Sequence, residues 1–340
     1  MEVNIVGPCT TQTSYGLVVL NLCKALDDLG NKVSLFPLGQ VEQHSYFNIK
    51  EWVENSFLFN KEAPCVRIFH QHSLDLFCGK LHIGFPIFEL DRFTPRQRHH
   101  LQSCDVLLSC SKWAQEVVPR KSSLVPLGVD LELFSPLPNF NEKPAFLHIG
   151  KTEVRKRSYE IVDCFAQEFK DDDVELWLAW SNIFTGNEDW DRYAKQKLGD
   201  KVKFVPRMDY VDLPKLINKA DALISMSSAE GWNLPILEGM ACEKWVIATD
   251  CTGQTEFLDD SCHKIEVDEL EWAQDGQWFN REGKWYKVGE KQKTQFKEHL
   301  RDIYNKIKAG SVNSAARERA KEFSWENSAK KLITSINSIQ

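Results

Sequence analysis

Short apolar runs alternate with segments of helical periodicity twice over in this chain, and no other feature restricts its fold as much. In the first series Val3–Val6, Lys32–Phe36, Cys65–Phe69, Leu81–Phe85, Val106–Ser109 and Ser123–Val125 read as strands. Between them, Tyr15–Leu29 carries Val18, Val19, Leu22, Leu26 and Leu29 at helical spacing and stops at Gly30. A helix is expected near Tyr46–Val53, another over Lys112–Val117, and Thr94 with Pro95 opens one bearing Arg96, Arg98, His99 and His100. Leu131–Pro144, with three prolines and little periodicity, reads as a linker. The second series runs through strands Ala145–Ile149, Val174–Ala179, Val202–Val205, Ala222–Met226 and Trp245–Ala248. Its helices are Ser158–Phe169, Leu213–Ala220 and a short one leaving from Pro235. Strands separated by helices imply a parallel sheet covered on both faces. Two such series imply an α/β protein of two doubly wound domains with a cleft between them. Ligands are expected beyond the carboxyl ends of the strands. A chain of 340 residues suits two domains of roughly 150 residues each.

Beyond Lys264 the pattern weakens. Gly276–Val288, with Trp278, Phe279, Trp285 and Tyr286 flanking Arg281-Glu282-Gly283, reads as a β-hairpin insertion, and helices at 291–308, 312–322 and 325–338 close the chain. The net charge of −7 disfavours nonspecific binding to nucleic acid or an acidic membrane. Met1–Gly7 reads as a strand rather than a leader, and no apolar run approaches the ~18 residues of a membrane helix. Ten cysteines without a Cys-x-x-Cys pair suit a reduced protein, so a cytoplasmic location is expected.

Chemistry concentrates where the strands end. In Ser227–Glu238 a buried-looking run meets a helix start, with seven residues between Glu230 and Glu238, Gly231 and Pro235 among them. Unpaired N–H groups at a helix start attract anions, and carboxylates grip vicinal hydroxyls, so this turn suits phosphates flanked by sugar hydroxyls. A glutamate early in a helix also simply favours the helix dipole. Lys151, Arg155, Lys156 and Arg157 follow the strand at Ala145–Ile149 with a single acid, Glu153, among them, and can stabilise a leaving diphosphate. Gly7–Gly16 lacks the Gly-x-Gly-x-x-Gly dinucleotide fingerprint, yet Gly16 can admit a phosphate or sugar against the backbone. His70 and His72 follow another strand, with no third metal ligand evident. Asp189-Trp190-Asp191 and Asp171-Asp172-Asp173 fit a short Asp-x-Asp metal pattern of low specificity.

Several segments then match one family in order. Leu124–Asp130 with Phe134-Ser135-Pro136, Phe146–Lys151 with Arg155-Lys156, Ala220–Glu256, and Phe323-Ser324-Trp325-Glu326 resemble segments of glycosyltransferase family four, retaining enzymes of the GT-B fold. Phe85–Pro95 and Ser14-Tyr15-Gly16 resemble a phage-type subgroup. The resemblance implies two Rossmann-like domains facing a central cleft. Residues 1–134, with the returning C-terminal helix 325–340, form the acceptor side, and 135–324 bind the nucleotide sugar. It implies a retaining, metal-independent transfer of a hexose-like sugar from a nucleotide diphosphate to a hydroxyl acceptor such as a glycan. The nucleotide sugar is a substrate, with no cofactor and no metal. Glu230 and His72, or His70 in its place, would touch the transferred sugar, and Glu238 the ribose. Gly16, Lys151, Arg155, Lys156 and the backbone of Gly231, Trp232, Asn233 and Leu234 would hold the rest of the donor. Where the family commonly carries arginine this chain has Lys151, and Cys242-Glu243-Lys244 replaces a small residue and glycine. Two alternatives stand beside this reading: a phage-type enzyme glycosylating a hydroxymethylated base in DNA through Arg96–His100, and a non-catalytic nucleotide-sugar-binding module. On this reading Glu230→Gln and Lys156→Ala should each abolish transfer and leave the thermal midpoint nearly unchanged.

Overall fold

The computed structural model describes residues 1–138, 141–182 and 185–338. Asn139 and Phe140 of the expected linker, and Ile339 and Gln340 of the closing segment, lie outside the described residues. The chain divides into two compact units, Met1–Asp130 with Phe323–Gln340, and Leu131–Glu322.

The first unit runs β1 (Glu2–Pro8), α1 (Ser14–Asp28), β2 (Lys32–Leu38), α2 (Ile49–Ser56), β3 (Pro64–Phe69), β4 (Leu81–Pro86), α3 (Pro95–Ser103), β5 (Val106–Ser109), α4 (Lys112–Val117) and β6 (Ser123–Leu124). Its six strands are parallel in the order β2-β1-β3-β4-β5-β6. The Thr13 hydroxyl caps α1 by accepting the Gly16 N–H at 3.2 Å, and Gly30, at φ 77°, turns the chain after it. At α3 the expected Thr94 cap is a full capping box, with Gln97 returning a bond to the Thr94 N–H at 2.8 Å. That helix does not present one basic face. Gln97 and His100 are buried, His100 beside Asp75 at 3.8 Å, and only Arg96, Arg98 and His99 of the expected set are exposed.

The second unit runs β7 (Ala145–Gly150), α5 (Ser158–Glu168), β8 (Glu175–Trp180), α6 (Glu188–Leu198), β9 (Val202–Phe204), α7 (Leu213–Lys219), β10 (Ala222–Ile224), α8 (Leu234–Ala241), β11 (Trp245–Thr249), β12 (His263–Ile265), β13 (Leu270–Gln274), β14 (Asn280–Tyr286), α9 (Glu290–Lys308) and α10 (Ser314–Lys321). Six parallel strands take the order β12-β11-β10-β7-β8-β9, and β13 pairs with β14 antiparallel. Phe146, Phe165, Phe169, Phe296, Leu300 and Ile303 fill the core between sheet and helices. The last helix, α11 (Trp325–Asn337), belongs to the first unit and packs on α1.

Three elements differ from the sequence reading. Residues 188–198 form a full helix, α6, because Trp190, Tyr193, Ala194 and Leu198 make one apolar stripe among the charges. Strand β12 is a polar three-residue edge, too short to show alternation. The hairpin turns at Asp275–Phe279 and not at Arg281-Glu282-Gly283, which lies in β14. One oxygen of Asp275 accepts the N–H groups of Gln277, Trp278 and Phe279 at 2.8–2.9 Å, a stronger turn than Arg-Glu-Gly offers.

Candidate active site

Strand order locates a site in each unit. In the second, the direction of sheet growth reverses between β7 and β10, and ligands of such sheets sit outside the carboxyl ends of the strands at that point. The segments leaving those two ends are 151–157 and 225–233, the stretches singled out in the sequence. The first makes a 3-10 turn, Val154–Lys156, and ends at Arg157 in the left-handed region (φ 55°). The second ends at Asn233, also left-handed (φ 79°), so α8 starts at Leu234 with Pro235 just inside it.

Backbone contacts lock the two segments together. Ser228 N–H donates to the Arg155 carbonyl at 2.9 Å. From the loop after β11, the Thr252 hydroxyl accepts the Glu230 N–H at 2.8 Å, and Gly253 N–H donates to the Glu230 carbonyl at 3.0 Å. A Cβ on Gly253 would stand 2.0 Å from the Gly231 carbonyl oxygen, so only glycine permits this approach. Thr252 itself holds φ 53°, a conformation that costs a β-branched residue about 1–3 kcal/mol and persists where the surrounding contacts over-determine the backbone.

Glu230 lies inside this clamp. Its carboxylate accepts from Lys156 Nζ at 2.5 Å and from Arg155 Nη1 at 3.2 Å. Burial alone would raise its pKa, but the charges of Lys156 and Arg155 and their hydrogen bonds outweigh burial and hold it at about 2. Arg155 is itself buried, donating also to the Ala229 carbonyl at 2.5 Å and to Glu153 at 3.1 Å. Its guanidinium is thus turned inward onto Glu230, Glu153 and the Ala229 carbonyl. Below the pair, His148 on β7 is held neutral by burial, its pKa lowered to about 4. Its Nδ1 lies 3.0 Å from the Ile224 carbonyl, which can only accept, so Nδ1 carries the proton and Nε2 accepts from the Ser158 hydroxyl at 3.3 Å.

Glu238 is the opposite case. It is 4% exposed on α8, and burial with no compensating charge raises its pKa to about 8. Two carboxyls eight positions apart therefore differ in charge at neutral pH. Trp232 packs its indole on Phe257, and the Asn233 amide donates to Gln254 at 2.7 Å, leaving the α8 N-terminus without a side-chain cap. Lys151 is half exposed, 3.7 Å from Glu153.

The first unit reverses between β1 and β3, and there the first turn of α1 meets His70. Tyr15 Oη donates to the Ile87 carbonyl at 3.1 Å, so its 2.7 Å contact with His70 places the proton on His70 Nδ1. His72 stacks on His70 with ring centres 5.1 Å apart and meets Ser73 Oγ at 2.9 Å. At Gly16 the space for a Cβ is filled by the Thr10 carbonyl, 2.0 Å away, so the loop's own packing already requires glycine. The Asp-x-Asp stretches are engaged in the fold. Asp189 pairs with Arg192 at 2.8 Å, Asp191 accepts the Trp180 indole N–H at 2.7 Å, and Asp172 and Asp173 pair with Arg301 and Lys143. Among the described residues no group of three His, Cys, Asp or Glu side chains is placed to hold a metal.

Sequence reasoning gave Thr252, Glu153 and His148 no role of their own. Each is unremarkable locally, and only the neighbouring loop or strand shows what it supports.

Residues 131–273 match the family described as Glycosyl transferases group 1. No curated protein matches the chain. Solved structures similar over the whole length include sucrose-phosphate synthase from Thermosynechococcus elongatus, at 17% identity and TM-score 0.72, covering 100% of this chain and 99% of that one. Anabaena HepE, solved in complex with UDP-glucose, is 16% identical with TM-score 0.69, covering 99% and 100%. The lipopolysaccharide outer core galactosyltransferase WaaB is 16% identical with TM-score 0.67, covering 100% of each chain. These matches lend no support to a phage-type subgroup. Residues 131–273 thus carry the match to the group 1 glycosyltransferases, and the two six-stranded parallel sheets give the chain the GT-B fold of these solved structures.

Proposed function

We propose that the protein transfers a hexose-like sugar from a uridine diphosphate sugar to a hydroxyl of an acceptor glycan, without a metal ion. The observation that carries this is the buried Glu230 carboxylate shared between Lys156 and Arg155 at the sheet's switch point. Glu230 stays ionised at any working pH, so it accepts hydrogen bonds from sugar hydroxyls and does not supply a proton. Lys156 and Lys151 neutralise the departing diphosphate. Arg155 keeps Glu230 compensated while Lys156 turns to phosphate. The uncapped start of α8, from Gly231 to Leu234, meets the diphosphate or sugar, and Glu238 the ribose hydroxyls. The bond from the anomeric carbon to the phosphate oxygen breaks, and the acceptor oxygen bonds to that carbon on the same face. The acceptor's proton leaves with the phosphate. His72, or His70, and Gly16 are assigned to the transferred sugar and the donor by the family resemblance. The UDP donor is supported by HepE, a structural neighbour solved with UDP-glucose. Ten free cysteines, nine of them buried, suit a cytoplasmic enzyme.

The test is release of nucleoside diphosphate and transfer of labelled sugar by Glu230→Gln and Lys156→Ala. Both variants should lose transfer. The ion pair changes the expectation for stability. Removing Lys156 costs Glu230 a charge-assisted hydrogen bond, about 2 kcal/mol, or about 4–8 °C in thermal midpoint. Near-full activity in Glu230→Gln would remove the central assignment. Binding of a nucleotide sugar with no diphosphate release by the native protein would instead establish a non-catalytic module.

A further inference from the structure

A cavity of ≈ 290 Å³ opens on the second unit beside the 151–157 segment, between the start of α6 and the tip of the β13–β14 hairpin. Its walls are Thr152 to Val154, Asn187 to Trp190, and Asp275, Gln277 and Trp278. The hairpin is not part of either six-stranded sheet, yet it is firmly held. Tyr286 N–H donates to the Ser228 carbonyl at 3.0 Å, and Arg157 Nε to the Ser228 hydroxyl at 2.7 Å while its Nη2 pairs with Glu271. The tip is fixed as well, because Asp275 gathers three successive N–H groups. Trp278 is nonetheless 46% exposed there. A rigid tip that presents a large indole to solvent is organised for a ligand, since little ordering cost remains on binding.

We propose that this cavity binds one neutral hexose unit of the acceptor. No lysine or arginine is among its described lining residues, so nothing in the wall attracts a phosphate or carboxylate. Its volume lies at the lower end of ligand pockets, about 300–1,000 Å³, which suits a monosaccharide and not a nucleotide sugar. An indole face offers stacking to the C–H face of a sugar ring, and the carboxylate and amide groups of Glu188 and Gln277 offer hydrogen bonds to hydroxyls. Glu153 joins this wall to the donor site. It lines the cavity and holds Arg155, which holds Glu230. The pocket's chemistry stands alone; its role as an acceptor subsite rests on the proposed transfer reaction.

Saturation-transfer NMR on the full chain, with methyl glucoside, galactoside and mannoside as probes in the presence of UDP, tests the proposal. At least one hexoside should show saturation transfer, reduced at least fivefold in Trp278→Ala and in Glu188→Ala, both exposed positions, with thermal midpoints and the UDP signal unchanged. No hexoside signal in the native protein, or a signal that survives both substitutions, would overturn the pocket. Absence of the UDP signal with the hexoside signal intact would instead strike at the donor reading and leave the pocket standing.

Discussion

Glu238 provides a pH-dependent test of the donor site that needs no acceptor. Its pKa is 4.5 when solvated and about 8 in the folded, ligand-free protein, raised by burial. The difference of about 3.5 units corresponds to about 5 kcal/mol at 1.36 kcal/mol per unit. The folded state holds the proton more tightly, so the contribution is whole below pH 4.5 and is lost as pH rises through about 8. Glu238→Gln keeps the shape and removes the titration. The variant and the native protein should therefore have similar thermal midpoints near pH 5, and the variant should be the more stable near pH 9. At about 2–4 °C per kcal/mol for a unit of this size, the upper figure is about 10–20 °C. Water reaching the ionised carboxylate reduces it, so a gap widening by about 5 °C or more between the two pH values is the criterion. A gap of equal size at both would show that Glu238 is already ionised in the empty site and refute the reasoning. On the proposed ribose contact, hydroxyls donating to Glu238 favour the carboxylate, so UDP binding should also release up to about 0.9 proton near pH 7. Calorimetry in two buffers of different ionisation enthalpy reads that number directly.

Arg155→Met strands Glu153 and weakens Glu230, and breaking a buried pair in this way costs about 3–5 kcal/mol. Thermal melts should show that loss, and transfer should fall with it because Lys156 then has to serve Glu230 alone. Glu243 holds φ 59° after α8, where Lys244 N–H closes on the Gly239 carbonyl at 3.0 Å in a Schellman-type turn. Glycine adopts this backbone without a steric penalty, so Glu243→Gly should stabilise the protein by about 1 kcal/mol, measured by denaturant unfolding, with activity unchanged.

Much of the fold was legible because its signals are local. Apolar runs such as Val3–Val6 and Ala145–Ile149 are buried on both faces, and caps such as Thr94-Pro95 lie next to the helices they start. The misread elements are those whose reasons lie elsewhere. Helix α6 shows its apolar stripe once Tyr159 stacks on Trp190, and the hairpin turns where one Asp275 oxygen satisfies three N–H groups.

The site divides along the same line. The sequence by itself determined that two carboxyls and a basic run follow strand ends, because strand alternation and the Glu230-to-Glu238 spacing are written along the chain. Segments spread across it also carry the family resemblance. Only the tertiary structure decided what those groups are. Strand order β10-β7 brings 151–157 against 225–233, so Arg155 becomes an internal brace and not a ligand hand. One glutamate gains two cations and stays charged, while the other is buried on α8 without any and holds its proton. Charge state depends on what lies within a few ångströms in space, and residues 74 positions apart in sequence supply it.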